Sequence, residues 1–162
     1  MAYDLSNVRV LIVDPNPFRR TLFCDVLKAI GIEKFEALGD GTTAYSLFRS
    51  VPFDIVITEQ TMVPLDGLDL TVMIRTNPDS PNTVVPILMV TGAPSVEDVV
   101  AARDSGATEY LVMPFSVTSL YRRLTAIIEN PRQFVQQNDY FGPDRRRTIT
   151  DFLGDDQRVS ED

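Results

Sequence analysis

The stretch Asp54-Ile55-Val56-Ile57-Thr58-Glu59-Gln60-Thr61-Met62-Val63-Pro64-Leu65-Asp66-Gly67 decides the fold. Its apolar run stops at a carboxylate, Glu59, and opens into a loop. Two other runs end in the same way: Val8-Arg9-Val10-Leu11-Ile12-Val13 at Asp14, and Val84 to Val90 at Thr91. A short continuous apolar run such as 8–13 is the pattern of a strand buried on both faces. Strands of a parallel sheet bring such end residues together, in the crevice where open α/β folds place their sites. Glu59 is therefore a candidate nucleophile, metal ligand or fixed charge, alongside Asp14 and Thr91.

Outward from these runs, helical and strand patterns alternate. A helix is expected from about Pro17 to Ile30, with Phe18, Leu22, Phe23, Val26, Leu27 and Ile30 on one stripe; Pro17 suits its first turn and Gly31 its end. Ile32 to Ala37 reads as strand two and Thr42 to Arg49 as helix two. Leu68 to Arg75 follows the third strand, and the proline-rich run after it cannot extend that helix. Val84 to Val90 is the fourth strand. Ser95, with Asp98 three residues on, caps a helix running to Ser105-Gly106. Glu109 to Val112 is the fifth strand, and a last helix spans about Ser116 to Glu129 with Val117, Leu120, Tyr121, Leu124, Ile127 and Ile128 at helical spacing. Strict alternation implies a parallel sheet covered on both sides, and right-handed crossovers favour a doubly wound five-stranded α/β sheet of order 2-1-3-4-5. Two regions follow: a domain over 1–130, and an extension over 131–162 with at most a short helix near Arg132 to Gln137.

Composition excludes several functions. The net charge of -8 argues against binding nucleic acid through a basic surface. The chain has no histidine, which removes His-dependent triads and zincin-type sites. Any bound metal would be a hard cation on oxygens, such as Mg²⁺. The single cysteine, Cys24, cannot form an internal disulfide and reads as a small core thiol. Neither a signal peptide nor a run of roughly 20 apolar residues is present, so a cytoplasmic location is expected.

Motifs at consistent spacing narrow this further: Leu11-Ile12-Val13-Asp14, Met62 before Leu65-Asp66-Gly67, Val90-Thr91-Gly92-Ala93, and Gly106-Ala107 leading to Tyr110-Leu111-Val112-Met113-Pro114-Phe115. Over about residues 7–130 the chain resembles the CheY-like receiver domains of two-component response regulators. That resemblance implies phosphoryl transfer to an aspartate after strand three. Acidic residues hold Mg²⁺ there, and a hydroxyl and a lysine contact the phosphoryl oxygens. Asp14 matches the first acidic position, Thr91 the switch hydroxyl and Tyr110 the switch aromatic. Pro15 stands at the second acidic position, Glu59 at the acceptor and Met113 at the lysine.

Each departure weakens the chemistry. The extra methylene of Glu59 carries its oxygen past the aspartate position, and a displacement of about 1 Å can cost on the order of 10²-fold in rate. Met113 supplies no charge for the phosphoryl oxygens, and Pro15 no oxygen for Mg²⁺, so a metal on Asp14 and Glu59 would be weak. The expectation is a stand-alone pseudo-receiver, not an enzyme, signalling through protein-protein contacts. Glu59 either imitates a phosphorylated aspartate and draws Thr91 inward, or is a solvated loop-end carboxylate. Without a lysine, Asp14 and Glu59 lack the usual cation, so raised pKa values or a captured cation are expected.

The resemblance implies partners such as a histidine kinase, a phosphotransferase or a motor or other output protein. They would bind the face of helix four, strand five and helix five, here Val99, Arg103, Tyr110, Met113, Val117 and Tyr121; a homodimer is a further option. No DNA-binding output domain is expected, since the 32 residues after Asn130 are too few for a winged helix. Arg145, Arg146 and Arg147 raise a second hypothesis, capture of a nucleotide second messenger such as cyclic di-GMP, because guanidinium groups fork onto phosphates and stack on bases. They could equally fold back on the acidic domain, dock an acidic partner or lie in solvent. Phe134, Tyr140, Phe141 and Phe152 suggest that part of the extension packs on something. A third hypothesis makes Glu59 a working phosphoacceptor.

Overall fold

The run that opens at Arg9 forms the first strand of a parallel sheet, β1 (Arg9–Val13), and its alternate side chains face opposite ways. Val10 and Ile12 enter one core cluster, whereas Leu11 and Val13 enter another. A computed structural model describes residues 3–146 and Phe152. After β1 the chain alternates through α1 (Pro17–Ala29), β2 (Lys34–Leu38), α2 (Gly41–Ser50), β3 (Ile55–Glu59), α3 (Gly67–Thr76), β4 (Ile87–Gly92), α4 (Val96–Ser105), β5 (Glu109–Met113) and α5 (Val117–Glu129). The sheet has the order β2-β1-β3-β4-β5, all parallel, as the alternation predicts.

Local signals place the helix ends. The Asn16 side chain accepts from the amides of Phe18 and Arg19, and Pro17 sits in the first turn, where no amide donor is needed. Ser95 and Asp98 form the reciprocal box that opens α4, and Gly106 closes it at φ 111. Gly31, at φ 97, performs the same service after α1.

Four sequence expectations shift. Strand β2 begins at Lys34 rather than Ile32. Strand β4 begins at Ile87, because Pro86 lacks an amide for the ladder, and runs through Thr91 to Gly92. Phe18 is 84% exposed and Leu22 44%, so the buried stripe of α1 narrows to Phe23, Val26 and Leu27. Residues 132–137 are not helical. Phe134–Gln137 pairs antiparallel with Tyr140–Pro143 to form the hairpin β6–β7. Its two-residue turn holds Asn138 at φ 50, a conformation that asparagine tolerates well. The cross-strand stack of Phe134 on Phe141, centroids 5.6 Å apart, exists only once the turn is made, which a local helical reading cannot see.

The hairpin is fastened to the receiver by Arg75 on α3. This side chain is 2% exposed. It donates to the carbonyls of Gly106 at 3.0 Å, Thr83 at 3.0 Å and Val85 at 2.6 Å, and to Thr108 Oγ1 at 3.3 Å. Its guanidinium lies 4.9 Å from the ring centre of Phe134. Burial lowers its pKa to about 9, and the surrounding carbonyls keep it cationic at neutral pH. On the other side, a Cβ at Gly142 would stand 3.0 Å from the Cα of Gly106, a separation that keeps β7 against the end of α4.

Candidate functional site

The strand ends meet as expected, with Asp14, Glu59 and Thr91 all at the C-terminal edge of the sheet and all buried. Gly67 explains how the loop after β3 can close so tightly. A Cβ there would come 2.2 Å from the Glu59 carbonyl oxygen, and the Gly67 amide donates to Gln60 O at 2.9 Å. Asp66 caps α3 through the Asp69 amide, so the Asp66-Gly67 pair both starts the helix and seats Glu59.

A cation does stand beside the two carboxylates, contrary to the expectation that they lack one. Arg19, in the first turns of α1, forks onto Asp14 with Nε 2.8 Å from Oδ2 and an Nη 2.9 Å from Oδ1. The same guanidinium lies 3.7 Å from Glu59 Oε2. Arg20 adds a bond to the Asp14 backbone oxygen at 2.6 Å, and Asp14 Oδ1 also accepts the Asn16 amide at 2.8 Å. The forked bond to Asp14 raises the Arg19 pKa. The captured cation is thus part of the chain.

Glu59 is 6% exposed. Its pKa is raised, first by desolvation; Asp14 adds to this, while the Thr61 amide, the Thr91 hydroxyl and Arg19 pull the other way. The Thr61 amide donates to Glu59 Oε1 at 3.3 Å, and the nearby Thr91 hydroxyl favours the charged form of the same carboxylate. Glu59 is therefore no solvated loop end.

Next in sequence, Gln60 couples this site to Tyr110, the aromatic expected at the switch position. Its Oε1 accepts from the Tyr110 hydroxyl, and its Nε2 donates to Asp98 O in the first turn of α4 at 3.0 Å. Tyr110 is fully buried, as is Val99, so these two members of the expected partner face are core side chains. Val117 is 46% exposed, and Arg103, Met113 and Tyr121 are half-buried. Met113 packs on the cluster between the sheet, α1 and α5, and brings no charge to the site.

These side chains do not fit the Mg²⁺ that the family resemblance implies. Both oxygens of Asp14 are held by Arg19, Pro15 has no donor, and no group of three His, Cys, Asp or Glu side chains able to hold a metal occurs among the described residues.

The arginine cluster is in part internally paired. Arg145 lies 3.9 Å over the Tyr140 ring and 3.5 Å from Asp104 on α4. Arg146 Nε sits 2.8 Å from Asp144 Oδ2. Arg147 lies outside the described residues. Of the alternatives for this cluster, folding back on the acidic domain describes Arg145.

Neither Arg19 nor Gln60 stands out in the sequence reading. A pair of arginines a helical turn beyond the Asp14 position is the available signal for the first. The second carries no signal, because its role depends on a tyrosine 50 residues away.

A doubly wound sheet with an acidic crevice, a buried threonine at the end of β4 and an inward tyrosine is the arrangement expected of a receiver-type signalling domain. The comparisons with known proteins agree. The response regulator receiver domain profile matches residues 10–125, and the chain belongs to that family, which serves two-component signalling. Chemotaxis protein CheY-3 of Vibrio cholerae is 30% identical over 124 residues, covering 76% of this chain and 94% of the relative. The structure of CheY4 from the same organism has a TM-score of 0.67 at 26% identity, covering 74% of this chain and 98% of that one. The receiver domain of the sensor histidine kinase PA1611 from Pseudomonas aeruginosa, solved with a magnesium ion coordinated in its active site cleft, also gives 0.67 at 26% identity, over 76% of this chain and 98% of that one. No helix among the described residues is long and apolar enough to cross a membrane.

Proposed function

We propose that this protein is a pseudo-receiver: a receiver fold that signals by binding other signalling proteins, without phosphoryl transfer and without catalytic turnover. The observation that carries the reading is Arg19, which forks onto Asp14 and reaches Glu59, so that the acidic pocket is neutralised by the chain itself. Glu59 supplies a permanent negative charge where the family adds one reversibly, and the Thr91 hydroxyl, which favours its charged form, supports the idea that it imitates the phosphorylated state. The buried, hydrogen-bonded Tyr110 is consistent with one fixed setting of the switch. Partners would read that setting on the face of α4, β5 and α5.

Hydrogen exchange on Glu59 variants tests this reading. A hydrogen bond to a charged group is worth about 1.5–3 kcal/mol, so Glu59→Ala should speed exchange of the Thr61 amide by roughly tenfold or more, with a response at Tyr110 through Gln60. Glu59→Gln, which keeps an acceptor but removes the charge, should give a smaller increase than Glu59→Ala. Unchanged exchange in Glu59→Ala would leave Glu59 without a switching role.

A further inference from the structure

Phe152 is fully buried, although it lies beyond the receiver in sequence. Its ring stands 5.7 Å from that of Tyr110 at a tilt of 53°. Around it are Met89 of β4, Val99 and Ala102 of α4 and Ala107, with Leu68 and Val112 packed at the margin. This cluster lies on the α4 side of β5, the edge strand of the sheet.

The extension approaches this position by fixed steps. The β6–β7 hairpin is held by Arg75, Gly142 packs against Gly106 at the end of α4, and Arg145 reaches Asp104 on α4. Phe152 then contacts the side chain that the receiver uses as its switch. Tyr110 is hydrogen-bonded to Gln60, the neighbour of Glu59, so the plug and the acidic pocket lie at two ends of one short path.

We propose that the C-terminal extension is an intramolecular ligand of the α4–β5 groove, with Phe152 as its anchor. Tyr110, Val99 and Ala102 form an aromatic-accepting pocket that this chain fills with its own phenylalanine. A partner that uses this groove has to displace Phe152 with an aromatic side chain of its own. The tether makes the self-contact favourable: a short linker holds a segment at an effective concentration on the order of millimolar. The proposal rests on α4–β5 being the face that partners read, but its test does not involve Glu59.

Hydrogen exchange on the full-length chain and a peptide of residues 144–162 provide that test. Phe152→Ala should raise exchange at Val99, Ala102, Tyr110 and Val112 by on the order of a hundredfold, as expected for loss of a buried phenyl ring. The Thr61 amide, tested by the Glu59 variants, should move less. Phe152→Leu, a smaller apolar plug, should give an intermediate increase and covers the case in which the alanine variant does not fold. The peptide, added in trans at millimolar concentration, should restore protection in the Phe152 variants and leave wild type unchanged; a peptide with alanine at position 152 should do neither. Unaltered exchange in both variants, or failure of the peptide to restore protection, would overturn the proposal. Failure of the Glu59 experiment would leave this result standing, so the two readings fail separately.

Discussion

Arg75→Ala is expected to lower the melting temperature by roughly 10 °C, at about 2–4 °C per kcal/mol for a chain of this size. The side chain donates to three backbone carbonyls and one hydroxyl, the hydroxyl also accepting from the Ile87 amide. Orphaning a buried acceptor costs about 1–3 kcal/mol, and a desolvated cation over an aromatic ring adds about 1–2. Against this stands relief of the unfavourable burial of a charge that has no carboxylate beside it, the same desolvation that lowers its pKa. The balance is a loss of about 4 kcal/mol. Arg75→Lys should recover little, since one ammonium cannot reach carbonyls fanned out as Gly106, Thr83 and Val85 are. Hydrogen exchange should also show the hairpin loosening with the mutation. Thermal denaturation within about 2 °C of wild type would mean that the hairpin is held by something else.

Arg19→Ala should do two things together. It should destabilise the fold, and it should make the protein respond to magnesium. Removing one partner of a fully buried ion pair typically costs 3–5 kcal/mol; Asp14 is 1% exposed but Arg19 is one-third exposed, so water screens the pair and about 2 kcal/mol is the better figure. The variant would then hold two carboxylates with no cation between them. A hard divalent ion should bind weakly there and stabilise the folded state by mass action, by about 1.4 kcal/mol when its concentration is tenfold above Kd. Wild type should melt at the same temperature with or without millimolar Mg²⁺. Thermal melts of both proteins across a magnesium titration check this. A magnesium-induced shift in wild type equal to that of the variant would show that Arg19 does not stand in the way of a metal.

The fold was open to sequence reasoning because its strands are short, largely apolar and separated by capped helices. Runs such as 8–13 and 54–58, with Asn16, Ser95 and Gly106 as punctuation, leave few topologies available. Glu59, Asp14 and Thr91 were visible because they end those runs. Local patterns mislead where partners are distant. Phe18 has helical spacing but is 84% exposed, because the first turn of α1 begins beyond the strand ends. Val135 and Gln136 fall where at most a short helix is expected, and become strand only when Gly142 and Phe141 pair with them. Arg19 reads as a surface charge until the helix turns it onto Asp14, and its presence reverses the view that the acidic pair lacks a cation. Phe152 could be called a packing residue from its character alone, but its contact with Tyr110 depends on the whole path of the extension.

The arginine cluster is a case where charge pattern alone leaves the partner undetermined. Arg145 satisfies itself on Tyr140 and Asp104, and Arg146 on Asp144. Binding a nucleotide through these two side chains would first require breaking those pairs, which weakens the second-messenger reading relative to the folded-back one.

The central claim is that a fixed carboxylate and a resident guanidinium replace the reversible phosphoryl group and its metal. Incubation of the intact protein with acetyl phosphate and Mg²⁺, followed by intact mass measurement, tests it most directly. No phosphoryl adduct is predicted, since Glu59 is held by the Thr61 amide and Arg19, Asp14 is held by Arg19, and Met113 offers no charge. A stable adduct mapped to Glu59 would contradict the account.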